Sequence, residues 1–185
     1  MSDKQYRVCP LEVADSLDSK LRRWVQNPRK ILGSYIKEGM TVLDLGCGPG
    51  FFTIDIAQMV GEYGNVIATD LQEGMLQKIR AKIEGTVLEK RIILQKTKEN
   101  KIGVSEKVDL ILLYYMVHEV PDQEILFQEL KTILKQDGQI FLVEPPFHVS
   151  KKAFEKTLDI AVRSGFTVKD RPKKLFDKAA VLKKS

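Results

Sequence analysis

Apolar positions along this chain come in two rhythms that alternate from Met40 onward. Short apolar runs at Thr41 to Leu45, Asn65 to Thr69, Arg91 to Leu94, Val108 to Tyr115 and Gln139 to Val143 have the length and composition of buried strands. Between them, apolar residues recur at helical spacing. Phe52 to Val60 stops at Gly61, and Met75, Ile79 and Ile83 are followed by Gly85. Pro121 opens a helix with Asp122 and Glu124 in its first turn and Leu126, Leu130 and Leu134 on its buried side. Ser150 caps a further helix carrying Phe154, Leu158 and Ala161 and ending at Gly165. Phe166 to Lys169 and Ala179 to Leu182 complete the chain as strands.

Strands separated by helices predict a mostly parallel sheet covered on both faces. The last two strands leave no room for a crossover helix, so that pair is expected to be antiparallel. Residues 11 to 37 read as helical before the alternation begins, with Leu17, Leu21 and Trp24 on one stripe. Asn27-Pro28 breaks this region, and Ile31, Leu32, Tyr35 and Ile36 form a second stripe.

The strongest chemical signal is VLDLGCGPG, Val42 to Gly50, a strand running into three alternating glycines ahead of a helix. Such glycines let a ligand approach the main chain without a Cβ in the way. A dinucleotide pyrophosphate loop wants its third glycine where Phe51 sits, which argues against an NAD-dependent oxidoreductase. Asp70 ends the second strand 20 residues after Gly50, where a carboxylate can accept both hydroxyls of a ribose. Together these features predict a nucleoside-containing cofactor held on the first loop.

VLDLGCGPGFFT, VIATDLQEGML, KVDLILLYYMVHEVPD and LKQDGQIFLVEP resemble, in order, the motifs of class I S-adenosylmethionine-dependent methyltransferases. The similarity runs over residues 40 to 145 and is strongest to the ubiquinone/menaquinone-biosynthesis type. It implies a Rossmann-like α/β fold: a seven-stranded, mostly parallel sheet with helices on both faces and an antiparallel C-terminal hairpin. One domain over residues 1–185 is expected, with 40–185 as the cofactor-binding core; the two apolar stripes of residues 1–37, not needed to close that core, are expected to form an N-terminal helical lid.

The resemblance further implies site roles. Asp44 steadies the glycine loop and reaches the amine of the methionine part, which Gly46, Cys47, Gly48 and Gly50 line with backbone. Asp70 holds the ribose, and Leu71 and Met75 flank the adenine. The third strand ends in Lys96-Thr97-Lys98 and lacks the usual acidic residue, leaving Thr97 as the adenine contact. Leu113 and Tyr114 close around the sulfonium. Strand alternation lets only one of Tyr114 and Tyr115 face the site. Cys47 has no activating base in its motif and reads as a space-filler rather than a nucleophile.

The acceptor side offers Trp24, Tyr115, His118, Glu144 and His148 as contacts. Both histidines of the chain follow strand ends, where open α/β sheets bind ligands. Methyl transfer is an in-line displacement in which the protein mainly aligns the reacting atoms. His118 is the candidate base where the acceptor must first lose a proton.

Composition narrows the partners. The net charge of +5 is concentrated in residues 151 to 185, where eleven Lys and Arg stand against four acidic residues. Scattered among core positions, these cations read better as a solvated surface than as a nucleic-acid patch. The fourth strand also ends in YYMVHEVPD rather than the (D/N)PP(Y/F) stretch of amino-methylating nucleic-acid enzymes. A nucleic-acid methyltransferase and a non-catalytic S-adenosylmethionine-binding protein are thus the alternatives to a small-molecule methyltransferase. The opening MSDKQYRVCP has no apolar stretch, no run reaches the roughly 18 residues of a membrane span, and Cys9 and Cys47 form no metal motif. A cytoplasmic setting and no metal are expected, and the oligomeric state stays open.

Overall fold

A computed structural model describes residues 26–98, 101–172 and 178–185. Trp24, Leu17 and Leu21 lie outside the described residues. The described chain begins with helix α1 (Pro28–Leu32), for which Asn27 is the cap and Pro28 the first residue. The Asn27 side chain accepts a hydrogen bond from the Lys30 amide at 3.1 Å. Asn27-Pro28, expected as a break, starts a helix here, since proline at the first position forfeits no helical bond. That helix lasts five residues. Tyr35 is in a turn and Ile36 follows it, yet Ile31, Leu32 and Ile36 all enter the core.

The elements follow in the expected alternation: β1 (Thr41–Leu45), α2 (Thr53–Met59), β2 (Asn65–Asp70), α3 (Glu73–Ile83), β3 (Ile92–Lys96), β4 (Val108–Tyr114), α4 (Gln123–Ile133), β5 (Leu134–Glu144), α5 (Lys151–Arg163), β6 (Phe166–Asp170) and β7 (Lys178–Lys184). The sheet order is β3-β2-β1-β4-β5-β7-β6. Strands β1 to β5 pair in parallel, while β7 runs antiparallel to both β5 and β6. This is the seven-stranded sheet with an antiparallel terminal hairpin that the sequence predicts.

Strand alternation divides the apolar residues between two cores. Leu110, Leu112 and Tyr114 of β4 join Leu32 of α1, Ile56 of α2, Val60 just after it and Ile79 of α3 in one. Ile111 and Leu113 face the other way and pack with Phe127, Leu130, Leu158 and Ala161 of α4 and α5. Helices thus cover both faces. Strand order reverses between β1 and β4, so crevices open beyond their carboxyl ends, the usual ligand position in such sheets.

One boundary differs from the sequence expectation. Leu134 continues the apolar stripe of α4 but opens β5 instead, opposite Val108. Pairing then shifts register and resumes at Leu110–Gln139, leaving Lys135 to Asp137 exposed between the two contacts. A buried leucine satisfies a helix end and a strand start equally, so periodicity alone did not separate them.

Candidate active site at the carboxyl ends of the strands

The glycine loop is bound to the neighbouring strand. The amides of Gly46 and Cys47 both donate to the Thr69 carbonyl, at 2.8 and 2.9 Å, and the Gly48 amide donates to Asp70 Oδ2 at 2.9 Å. Gly48 has φ +54°, and a Cβ built there meets nothing within 4 Å, so its missing side chain faces open space. Gly50, at φ +89°, is needed for packing, because a Cβ there would sit 2.9 Å from Ile79 Cγ1.

Two carboxylates stand behind this loop. Asp70 Oδ1 accepts the Gln72 amide at 2.9 Å, so both oxygens hold backbone N–H groups, and the carboxylate keeps lone-pair capacity beyond them. Burial pushes its pKa up, opposed by those backbone bonds. Asp44 is almost fully enclosed and accepts the Thr53 hydroxyl at 2.6 Å, tying β1 to the first residue of α2. Burial, with a contribution from the Asp70 charge, pushes Asp44 up to about 7 against the lowering effect of Thr53. Thr53 went unnoticed in the sequence, although a hydroxyl opening the helix after a glycine loop is a natural partner for such a carboxylate. Cys47 is buried with its thiol pushed well up, chiefly by burial and then by Asp44 and Asp70, as suits a packing residue.

Beside the loop lies a cleft of about 80 Å³. Leu45, Leu71, Thr97, Met116, Val120 and Leu126 are among its lining residues. Thr97 is anchored by its amide to the Asp70 carbonyl at 3.0 Å. Met75 does not line this cleft and is buried in α3. Met116, absent from the sequence candidates, joins cleft and loop: a Cβ on Gly46 would lie 3.1 Å from its own Cβ.

The end of β4 departs from strand geometry. Leu113 sends its side chain into the α4–α5 core, whereas Tyr114 belongs to the opposite core. Tyr115 then has φ +61°, the one non-glycine in the left-handed region among the described residues. That rotation breaks the alternation which assigned Tyr114 and Tyr115 to opposite faces. Their ring centroids lie 4.3 Å apart, continuing a run from Phe51 to Phe52 (5.1 Å) and Phe52 to Tyr114 (4.3 Å). Such left-handed residues cost of order 1–3 kcal/mol and cluster at functional sites. The Tyr115 hydroxyl accepts from Gln26 Nε2 at 2.8 Å, so the chain entering α1 reaches this point.

His118, just beyond β4, and Glu144, the last residue of β5, are separated by 26 residues and meet. Glu144 Oε1 accepts the His118 backbone N–H at 2.9 Å, and Oε2 lies 2.6 Å from Nδ1. The imidazole side chain is 28% exposed and the Glu144 side chain 1%. Hydrogen bonding to Glu144 raises the His118 pKa above its usual value, against the lowering effect of partial burial; the Glu144 and Glu119 charges add to the rise. Glu119, half-buried beside it, is also raised, first by burial. His148 is exposed in the loop after β5, next to Phe147, which is 95% exposed. The structure therefore joins His118 to Glu144 and leaves His148 apart from that pair.

Among the described residues no group of three His, Cys, Asp or Glu side chains could hold a metal, and no helix is long and apolar enough to cross a membrane.

Comparison with known proteins agrees with this geometry. The family model described as a methyltransferase domain matches residues 36–180. A demethylmenaquinone methyltransferase of Lactobacillus johnsonii is 34% identical over 110 residues, covering 59% of this chain and 45% of that protein. The ubiquinone/menaquinone biosynthesis C-methyltransferase UbiE of Pseudoalteromonas translucida is 30% identical over 129 residues, or 68% of this chain and 51% of the relative. The chain thus spans about half the length of these curated relatives. A solved S-adenosylmethionine-dependent methyltransferase from Aquifex aeolicus superposes with a TM-score of 0.85 at 28% identity, covering 95% of this chain and 98% of that one. The chain belongs to the methyltransferase domain family and has the Rossmann-like fold of class I S-adenosylmethionine-dependent methyltransferases.

Proposed function

We propose that this protein transfers a methyl group from S-adenosylmethionine to a small-molecule acceptor. One observation carries the reading. The open backbone at Gly48, the carboxylate of Asp70 and the His118–Glu144 pair all stand at the carboxyl ends of β1, β2, β4 and β5. The residues present fit the cofactor: Gly48 offers a surface no Cβ would fill, and Asp70 retains lone pairs for two hydroxyls.

In this reading Asp70 holds the ribose. Leu71 and Thr97, at the cleft, take the adenine side. Gly46, Cys47, Gly48 and Gly50 line the methionine part with main chain, and Asp44 supplies negative charge beneath it. Tyr114 and Tyr115 wall the region of transfer. When bound, the cofactor supplies an activated methyl on a positively charged sulfur. The chain's own residues align the acceptor with that carbon, exclude water and, at His118 Nε2, accept a proton. The names of the curated relatives make a reduced quinone-type ring the first acceptor to test.

The lid expected over residues 1–37 falls mostly on residues outside the described ones; within them, Gln26 donates to the Tyr115 hydroxyl. A cytoplasmic place of action is consistent with the free, buried thiol of Cys47.

The test is thermal unfolding with ligands. S-adenosylmethionine and S-adenosylhomocysteine should raise the melting temperature, because a ligand that binds only the folded state stabilises it by mass action. NAD and NADP should not. A shift with NAD and none with S-adenosylhomocysteine would overturn the assignment.

A further inference from the structure

Glu144 is the most enclosed acidic side chain among the described residues, and the role of a substrate contact does not suit it. It offers no open edge to an acceptor. Both oxygens are instead directed at His118: one takes the backbone N–H and the other meets Nδ1. A carboxylate only accepts, so the neutral imidazole must carry its proton on Nδ1. Nε2 is then left with the acceptor lone pair, on a ring whose side chain is 28% exposed.

We propose that Glu144 is a positioning residue, locking His118 in the tautomer whose Nε2 takes a proton from an acceptor bearing an acidic, phenol-type hydroxyl. This rests on the methyltransferase reading and deepens it. An acceptor that reacts without first losing a proton has no use for a base held in one tautomer. A phenol-type hydroxyl is still protonated at neutral pH, with an ordinary pKa near 10.

In the step itself, the acceptor O–H bond breaks and its proton moves to Nε2. The electron pair left behind, on oxygen or delivered through the conjugated ring to a carbon, forms the new bond to the methyl group. The carbon–sulfur pair departs on sulfur, which becomes a neutral thioether. Where a ring carbon attacks, its proton passes to water as the hydroxyl re-forms with the proton held by His118.

Among the described residues, the charges that act on His118 are acidic: Glu144 from β5 and Glu119 on the same turn. Both favour the imidazolium that forms once the proton is taken.

The test is 15N NMR of the imidazoles on the full chain, in which His118 is one of only two histidines. His118→Gln assigns its signals. Wild type should show the Nδ1–H tautomer and a titration midpoint above the usual ~6.5. In Glu144→Gln, the amide carbonyl can keep the His118 N–H while its NH₂ donates to Nδ1. The neutral ring should then switch to Nε2–H, and its midpoint should fall by about one unit or more. Turnover of a phenol-type acceptor should drop by about 10²–10⁴-fold in Glu144→Gln and in His118→Gln alike. Affinity for S-adenosylhomocysteine should stay within about twofold, because neither residue is assigned to the cofactor.

An Nε2–H ring in wild type would overturn the proposal without recourse to any variant, so a poorly folded Glu144→Gln does not shield it. A tautomer switch with full turnover would also overturn it, removing His118 as the base. Loss of S-adenosylhomocysteine binding in wild type is a separate result. It would defeat the methyltransferase reading while the NMR still reports on the pair.

Discussion

The two sides of the crevice are built on different principles. On the cofactor side, beyond β1 and β2, a contiguous loop is fixed by its own backbone. Gly46, Cys47 and Gly48 give their amides to the Thr69 carbonyl and to Asp70. On the side we propose for the acceptor, at the ends of β4 and β5, order comes from side chains remote in sequence: Tyr115 with Gln26, and His118 with Glu144. A backbone cradle suits a ligand common to a whole family. Side-chain pairs can be exchanged one at a time, which suits an acceptor that varies between members.

The sharpest way to separate the two sides is Asp70→Ala. A charge-assisted hydrogen bond is worth about 1.5–3 kcal/mol, so affinity for S-adenosylhomocysteine should fall roughly tenfold to a hundredfold by calorimetry. The acceptor KM and the His118 tautomer should stay as they are. Some loss of melting temperature is expected too, because the Gly48 and Gln72 amides lose their acceptor. Unchanged affinity would mean that Asp70 does no more than brace the loop.

The contrast also explains what could be read in the sequence. Val42 to Gly50 and Asp70 announce the cofactor side because the loop is one continuous motif whose partner strand follows directly. His118 was legible as a residue just past a strand end and Glu144 as one at a strand end, but nothing local shows that they touch. Their meeting depends on the parallel register that sets Tyr114 against Val143 at the ends of β4 and β5. Tyr115 misled for the opposite reason: alternation is a sound rule for strands, and a single left-handed residue suspends it. Leu134 shows the same ambiguity in miniature, since burial fits both elements it joins.

A smaller effect, confined to the cofactor side, concerns Asp44. Burial lifts it to about 7 in the folded protein, above the ~3.9 of an exposed aspartate. The unfolded chain therefore gives up this proton first, and this group's share of stability declines as pH rises from about 4 to about 7. Binding should run the other way. A cationic ligand group beside Asp44 favours its ionised form, so affinity for S-adenosylmethionine should rise severalfold between pH 6 and 8. Asp44→Asn should flatten that rise. A slope that survives the substitution would assign it to another group and would place Asp44 outside the electrostatics of the cofactor side.

The smallest expected effect lies on the acceptor side, in Tyr115→Phe. The ring and its 4.3 Å stacking against Tyr114 remain, as does the left-handed backbone, and only the hydroxyl that accepts from Gln26 is lost. A neutral hydrogen bond contributes about 0.5–1.5 kcal/mol net, so the melting temperature should fall by only a few degrees. The Gln26 amide sits near the surface, where water can replace the tyrosine oxygen, which favours the low end of that range. The bond also ties the entering segment to the acceptor wall. The acceptor KM should therefore rise by about twofold to fivefold, while calorimetric affinity for S-adenosylhomocysteine stays constant. If cofactor affinity fell with it, Tyr115 would belong to the cofactor side, and the division between backbone cradle and side-chain wall would have to be redrawn through β4.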